Sequence, residues 1–159
     1  MKKKILSLEQ LAAKSGQLRS TGKRVVATNG CFDILHVGHV RYLAAARKLG
    51  DVLVVGLNGD SSVRQLKGEG RPVTPEQDRA EVLAALESVE YVTIFPELRA
   101  TNFLRAAQPL IYAKGGDYTA DTLDLSERAV LAKLGAKIEI IPFEKGYSTS
   151  QLLTRIGKA

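Results

Sequence analysis

Apolar residues in this chain arrive in two alternating rhythms. Five short runs rich in Val and Ile, Arg24–Thr28, Val52–Leu57, Tyr91–Phe95, Leu110–Ala113 and Lys137–Ile141, read as strands covered on both faces. Between them apolar positions recur every three or four residues, which predicts helices. Val37–Leu49 turns Val40, Leu43, Ala44 and Ala46 inward. Thr74 is expected to cap a helix with Pro75 at its first position and Gln77 completing a capping box. That helix buries Ala80, Leu83, Ala84 and the aliphatic stem of Glu87. Ala100–Ala107 and Leu125–Leu134 follow, the second stopped by Gly135. Ser148 with Gln151 caps a last helix through Ile156. At the front, Ser7 with Gln10 opens an amphipathic helix ending between Arg19 and Gly22. Residues 1–22 thus read as a helical extension of one domain covering 1–159.

Repeated strand–loop–helix units with short connections predict an α/β fold, Rossmann-like, with three α/β/α layers around a five-stranded parallel sheet. In such sheets ligands bind beyond the carboxyl ends of the strands, where the strand order reverses. The unusual residues fall at those ends: Asn29-Gly30-Cys31-Phe32-Asp33, Lys114-Gly115-Gly116-Asp117 and Gly146-Tyr147-Ser148-Thr149-Ser150.

The chain's two histidines both lie in His36-Val37-Gly38-His39. A spacing of three puts them on one face of an opening helical turn. Gly38 leaves room for a phosphate to reach the backbone, and the helix start adds free N–H groups and partial positive charge. Such a set suits a phosphate gaining charge in an in-line transition state. Other readings compete: a metal pair, for which no third ligand is suitably spaced; core histidines; or a thiol nucleophile at Cys31, for which no base is visible. Lys67-Gly68-Glu69-Gly70-Arg71-Pro72 reads as a basic loop able to close over phosphates with Lys67 and Arg71, or as an exposed turn. Ser148, Thr149 and Ser150 can donate to phosphate oxygens or simply cap a helix. Arg79 reads as a helix-face cation.

The net charge of +6 agrees with an anionic ligand. No basic run with interleaved aromatics points to nucleic acid. The single cysteine fits a reducing, cytoplasmic setting. Glu9 and Gln10 interrupt the N-terminal apolar run too early for a signal peptide. No stretch approaches the ~20 apolar residues of a membrane helix. A GxxxxGK[ST] kinase loop and a metal–carboxylate cluster are both missing from the sequence.

Together TNGCFDILHVGH, KGEGRPV, EQDRAEVLAALESVEYV, KGGDY and GYSTS, running from about Lys4 to Ile156, resemble the HxGH nucleotidyltransferases. Within that superfamily the pattern is most similar to the D-glycero-β-D-manno-heptose 1-phosphate adenylyltransferases, which make ADP-heptose alone or fused behind a sugar kinase. The resemblance implies AMP transfer from ATP to a sugar 1-phosphate, with Mg²⁺ accompanying the triphosphate. It implies catalytic roles for His36, His39 and Lys67. Asn29, Gly30, Cys31, Phe32, Gly38, Arg79, Lys114, Gly116, Asp117, Ser148 and Thr149 would serve the nucleotide; Asp33, Asn58, Asp60 and Arg71 would serve the acceptor. It is compatible with a homodimer and with a separate heptose 7-phosphate kinase as functional partner. Cytidylyltransferases acting on glycerol 3-phosphate are the alternative, and a nucleotide-binding module without activity is the non-enzymatic one. Against CTP stand Phe143, where cytidylyltransferases commonly carry arginine, and Gly115-Gly116-Asp117 in place of a GDD-like pair. Thr101-Asn102 and Gly135-Ala136 depart from the Thr-Pro and paired glycines frequent in heptose enzymes.

Overall fold

The computed structural model describes residues 2–116, 118–119, 121–142 and 146–157; Asp117 and Phe143 lie outside them. Five strands, β1 (Val25–Gly30), β2 (Val52–Asn58), β3 (Tyr91–Phe95), β4 (Ile111–Gly115) and β5 (Lys137–Ile141), form one parallel sheet in the order β3-β2-β1-β4-β5. Strand order therefore reverses between β1 and β4. The helices are α1 (Leu8–Ser20), α2 (Val37–Arg47), α3 (Asp60–Lys67), α4 (Glu76–Ala84), α5 (Thr101–Ala107), α6 (Leu125–Leu134) and α7 (Thr149–Ile156).

Alternation along the strands divides the core in two. Val25, Ala27, Val52 and Val54 point to one face, under Leu11 of α1, Phe103 and Leu104 of α5, and Val130 and Leu131 of α6. Val26, Leu53, Val55 and Leu57 point to the other, under Tyr42, Leu43 and Ala46 of α2 and Ala80 and Leu83 of α4. The result is the three-layer Rossmann-like architecture that the sequence predicts. The N-terminal segment is built into it: Leu11 is fully buried, Ile5 bridges Val92, and the N–H of Leu6 donates to the carbonyl of Val92 at 2.9 Å.

Several local expectations need correction. β1, β2 and β4 run one or two residues farther toward their carboxyl ends than their apolar runs, with Asn29 still paired to Gly56 and Lys114 to Ile140. Asn29 and Lys114 line a cavity at the strand ends, so polarity there does not mark the end of pairing. α3 was not foreseen, because Val63 and Leu66 are too few to establish a period, and only Val63 is buried. On α2, Val40 is exposed and Tyr42 takes an inward place. Glu87 lies beyond the end of α4 and is exposed. Thr74 does not cap α4; Pro75 holds that position without a side-chain bond. Thr74 is drawn away, its N–H donating to Asp33 and its carbonyl accepting from Arg79.

Candidate active site

The carboxyl ends of β1 and β4 open into a cavity of about 810 Å³. Asn29 through Asp33, His36, Gly38, His39, Asn58, Lys67, Arg71, Lys114 and Ser148 through Ser150 all line it. Arg79, Asp60 and Gly116, expected at ligands, are not on its wall.

His36 is the N-cap of α2 and His39 lies in its first turn. Their rings stack, with centroids 3.9 Å apart and planes inclined 23°. Phe32 closes on His39 edge-first at 5.3 Å. A Cβ at position 38 would come within 3.0 Å of the His36 ring and of Tyr147 Cβ. Gly38 therefore leaves room for the His36 ring and for the segment leading into α7 to approach. No side chain caps α2; the His39 N–H donates to the His36 carbonyl at 2.9 Å, and an uncapped helix start of this kind suits an anionic ligand.

Both imidazoles are neutral. Burial lowers the His36 pKa. Burial first, then the neighbouring His36, lower that of His39 to about 4. Each Nδ1 is buried without a hydrogen-bond partner. Burying a lone pair there costs less than burying an unpaired N–H, so the proton belongs on Nε2, where a phosphate oxygen can accept it. A phosphate oxyanion favours the charged ring. In an NMR titration of the free protein, His39 is expected to stay neutral down to a midpoint near 4, and bound triphosphate to raise that midpoint. The unfolded ring binds protons at a higher pH than the folded one. The His39 contribution to stability is therefore complete above the unfolded value and lost as pH falls toward the folded one. A free-protein midpoint at the ordinary histidine value would mean that the ring is solvated.

One wall is held by a buried polar network. Asp33 accepts from Arg71 Nε at 2.5 Å and from the N–H groups of Val73 and Thr74 at 2.8 and 3.0 Å. Burial pushes the Asp33 carboxyl up, but the Thr74 N–H, Arg71 and the Val73 N–H outweigh it and hold the pKa below the usual range. Arg79 is 1% exposed. It donates to the carbonyls of Cys31, Asn58 and Thr74 at 2.6, 2.9 and 2.8 Å and to Asp60 Oδ1 at 2.6 Å. Its guanidinium thus ties the strand ends together and turns away from the cavity. Asp60 is taken up in that pair. The Gly116 N–H is likewise engaged, by the carbonyl of Ile141 at 3.0 Å.

Lys67 closes α3 at the cavity mouth; the loop proper starts at Gly68, where positive φ permits the turn. Burial lowers the Lys114 pKa, and its ammonium lies over the ring of Tyr118 at 4.8 Å. Burial raises the Cys31 thiol above its ordinary value, the reverse of an activated nucleophile. Ser148 caps α7 by accepting from the Gln151 N–H at 3.1 Å, which leaves the Thr149 and Ser150 hydroxyls beside the cavity.

The cytidylyltransferase-like family matches residues 27–155. This chain belongs to that family. Similar relatives include the bifunctional protein HldE of Geobacter sulfurreducens, 46% identical over 98% of this chain and 31% of the relative. That of Citrifermentans bemidjiense is 48% identical over 96% and 31%. The chain thus spans about a third of the length of these curated relatives. The crystal structure of the lipopolysaccharide core biosynthesis protein from Thermoplasma volcanium superposes with a TM-score of 0.64 at 31% identity, covering 80% of this chain and all of that one. Pantoate-beta-alanine ligase from Francisella tularensis, at 14% identity and a TM-score of 0.57 over 98% of this chain and 78% of its own, shares the fold.

The cavity is also bordered by Tyr42, Arg99 and Glu127, which pattern reading passed over, and by Tyr118 and Tyr147, which it met only as members of the KGGDY and GYSTS motifs; Tyr112 stands behind the wall, bonded to Asn29. Tyr42 follows His39 by three residues and so shares its helix face; its hydroxyl lies 2.7 Å from Thr28 Oγ1. Tyr112 precedes Lys114 by two on β4, and its hydroxyl donates to Asn29 Oδ1 at 2.5 Å. Both spacings were available in the sequence. Glu127, three after Asp124, looks like half of a solvated helix cap, and nothing local shows that it turns inward.

Proposed function

We propose that this domain transfers AMP from ATP to D-glycero-β-D-manno-heptose 1-phosphate, releasing pyrophosphate and forming ADP-heptose. The observation that carries the reading is the stacked neutral histidine pair at an uncapped helix start, inside a family whose HldE members match nearly the whole chain. An oxygen of the sugar phosphate attacks the α-phosphorus in line. The new P–O bond forms as the bond to the β-phosphate oxygen breaks, and the electron pair leaves with pyrophosphate. A phosphate is already nucleophilic at neutral pH, so no general base is needed, and none is evident. Nε2–H groups of His36 and His39, with the α2 N–H groups, would meet charge developing on the phosphate. Lys67, Arg71, Thr149 and Ser150 stand where they can hold the remaining oxygens. Asn29 through Phe32, Lys114 and Ser148 would border the nucleotide; Asp33 and Asn58 would shape the acceptor side. Arg79 and Asp60 would act through the loops they fix.

Among the described residues no three His, Cys, Asp or Glu side chains come together to hold a metal. Mg²⁺ carried by triphosphate oxygens and water needs no such cluster, and we place it with the nucleotide. No described helix is long and apolar enough to cross a membrane. A cytoplasmic setting suits this reaction, with a heptose 7-phosphate kinase acting upstream to give the 1,7-bisphosphate and a phosphatase then removing the 7-phosphate to leave the acceptor.

The test is pyrophosphate release with ATP or CTP against heptose 1-phosphate and glycerol 3-phosphate. The expected result is a kcat/KM for ATP about tenfold or more above that for CTP, because base-edge groups left unpaired discriminate strongly. A preference for CTP would leave the transfer chemistry standing and remove the adenylyl assignment. Turnover of glycerol 3-phosphate with none of the heptose would favour the alternative acceptor.

A further inference from the structure

Glu127 stands in the first turn of α6 and is 6% exposed. Its Oε1 accepts the N–H of Ala100, the N-cap of α5, at 2.8 Å, which fixes the side chain. The group lines the cavity beside Leu98, Arg99 and Leu123. Its second carboxyl oxygen has no hydrogen-bond partner among the described residues. Lys114 is close enough to feel it: burial lowers the ammonium pKa and Glu127 pushes it back up. That oxygen is not among the described buried polar atoms left without a partner; it keeps accessible surface, and the side chain it belongs to lines the cavity.

Two considerations decide what it meets. A carboxyl oxygen and a phosphate oxygen both accept, so this part of the cavity suits hydrogen-bond donors and not phosphate. The second is direction. The starts of α2 and α7 lie together, as the closeness of Gly38 to Tyr147 shows, and they offer the helix-start N–H groups and hydroxyls suited to pyrophosphate. α6 belongs to the opposite layer, with α1 and α5. In-line displacement sets leaving group and nucleophile on opposite sides of the α-phosphorus. With pyrophosphate toward α2 and α7, the acceptor lies toward α6.

We infer that Glu127 is a specificity-determining residue that accepts hydrogen bonds from the sugar hydroxyls of the acceptor. The inference rests on the sugar 1-phosphate reading above and names a contact within it.

Glu127→Gln is the informative change. Glutamine can keep its Oε1 on the Ala100 N–H while presenting an NH₂ donor where the second oxygen stood, so the fold is expected to hold. Calorimetric binding of heptose 1-phosphate, methyl phosphate and ATP separates the parts of the ligand. Heptose 1-phosphate affinity is expected to fall about tenfold or more, with methyl phosphate and ATP unchanged. Unchanged heptose 1-phosphate binding, equal weakening of methyl phosphate, or weakening of ATP alone would each overturn the inference. Wild-type protein that binds heptose 1-phosphate no better than methyl phosphate would overturn the acceptor reading itself, a failure visible without any variant. If Glu127→Gln lowers the melting temperature, Glu127→Asp serves in its place. It keeps an acceptor but shortens the reach by one methylene, and the same selective loss is expected.

Discussion

Replacing either His36 or His39 with alanine is expected to lower turnover about 100- to 1000-fold, the usual consequence of losing one preorganised transition-state donor. The rings stack at 3.9 Å and are neutral in the free protein, so each offers an N–H and not a standing positive charge. A neutral donor gains little from ground-state triphosphate and more as negative charge builds on the oxygens in flight. kcat and kcat/KM should therefore fall together, with little change in KM for ATP. The paired rings act as one unit, so the double variant should lose much less than the product of the single losses. Pyrophosphate release by His39→Ala at the wild-type rate would sink the catalytic assignment.

The sheet was legible because its strands are covered on both faces, and double burial leaves an unbroken apolar run. β3 and β5 match their runs to the residue. β1 and β4 outlast theirs because Asn29, Gly30, Lys114 and Gly115 line the cavity while their backbones keep pairing. Helix ends governed by local chemistry were also readable: the Ser7–Gln10 box, Gly135 in the left-handed conformation and Ser148 as a cap all stand as the sequence suggests. Thr74 failed as a cap because a distant carboxylate, Asp33, competes for its N–H. No local signal carries that information.

The candidate site was legible in the same uneven way. The histidines, the strand-end glycines and the serines before α7 announce themselves by residue type and place. Arg79 and Glu127 do not, since a charged residue on a helix is usually solvated and the sequence does not say which way it points. Burial supplies what the sequence leaves open for both. One becomes a tie between loops, and the other lines the cavity.

Arg79→Ala should destabilise the protein by about 3 kcal/mol or more, because three carbonyls lose a charge-assisted donor inside the fold. The Asp60 arm adds little to that figure: its carboxylate is 35% exposed on the side-chain scale, and water can replace the guanidinium there. For a domain of this size the loss corresponds to a fall in melting temperature of roughly 10 °C. Arg79→Lys is expected to recover little of it. A single ammonium cannot meet the carbonyls of Cys31, Asn58 and Thr74 together with Asp60, which the planar fork spans in one plane. Those contacts fix the Cys31 loop, the end of β2 and the approach to α4, all beside the cavity. Turnover measured well below the melting temperature should consequently drop through kcat in the lysine variant, while KM for ATP moves little. Opposite behaviour, an unchanged melting curve with a steep rise in KM for ATP, would mean that the guanidinium leaves its carbonyls to hold the triphosphate, and would refute the positioning role.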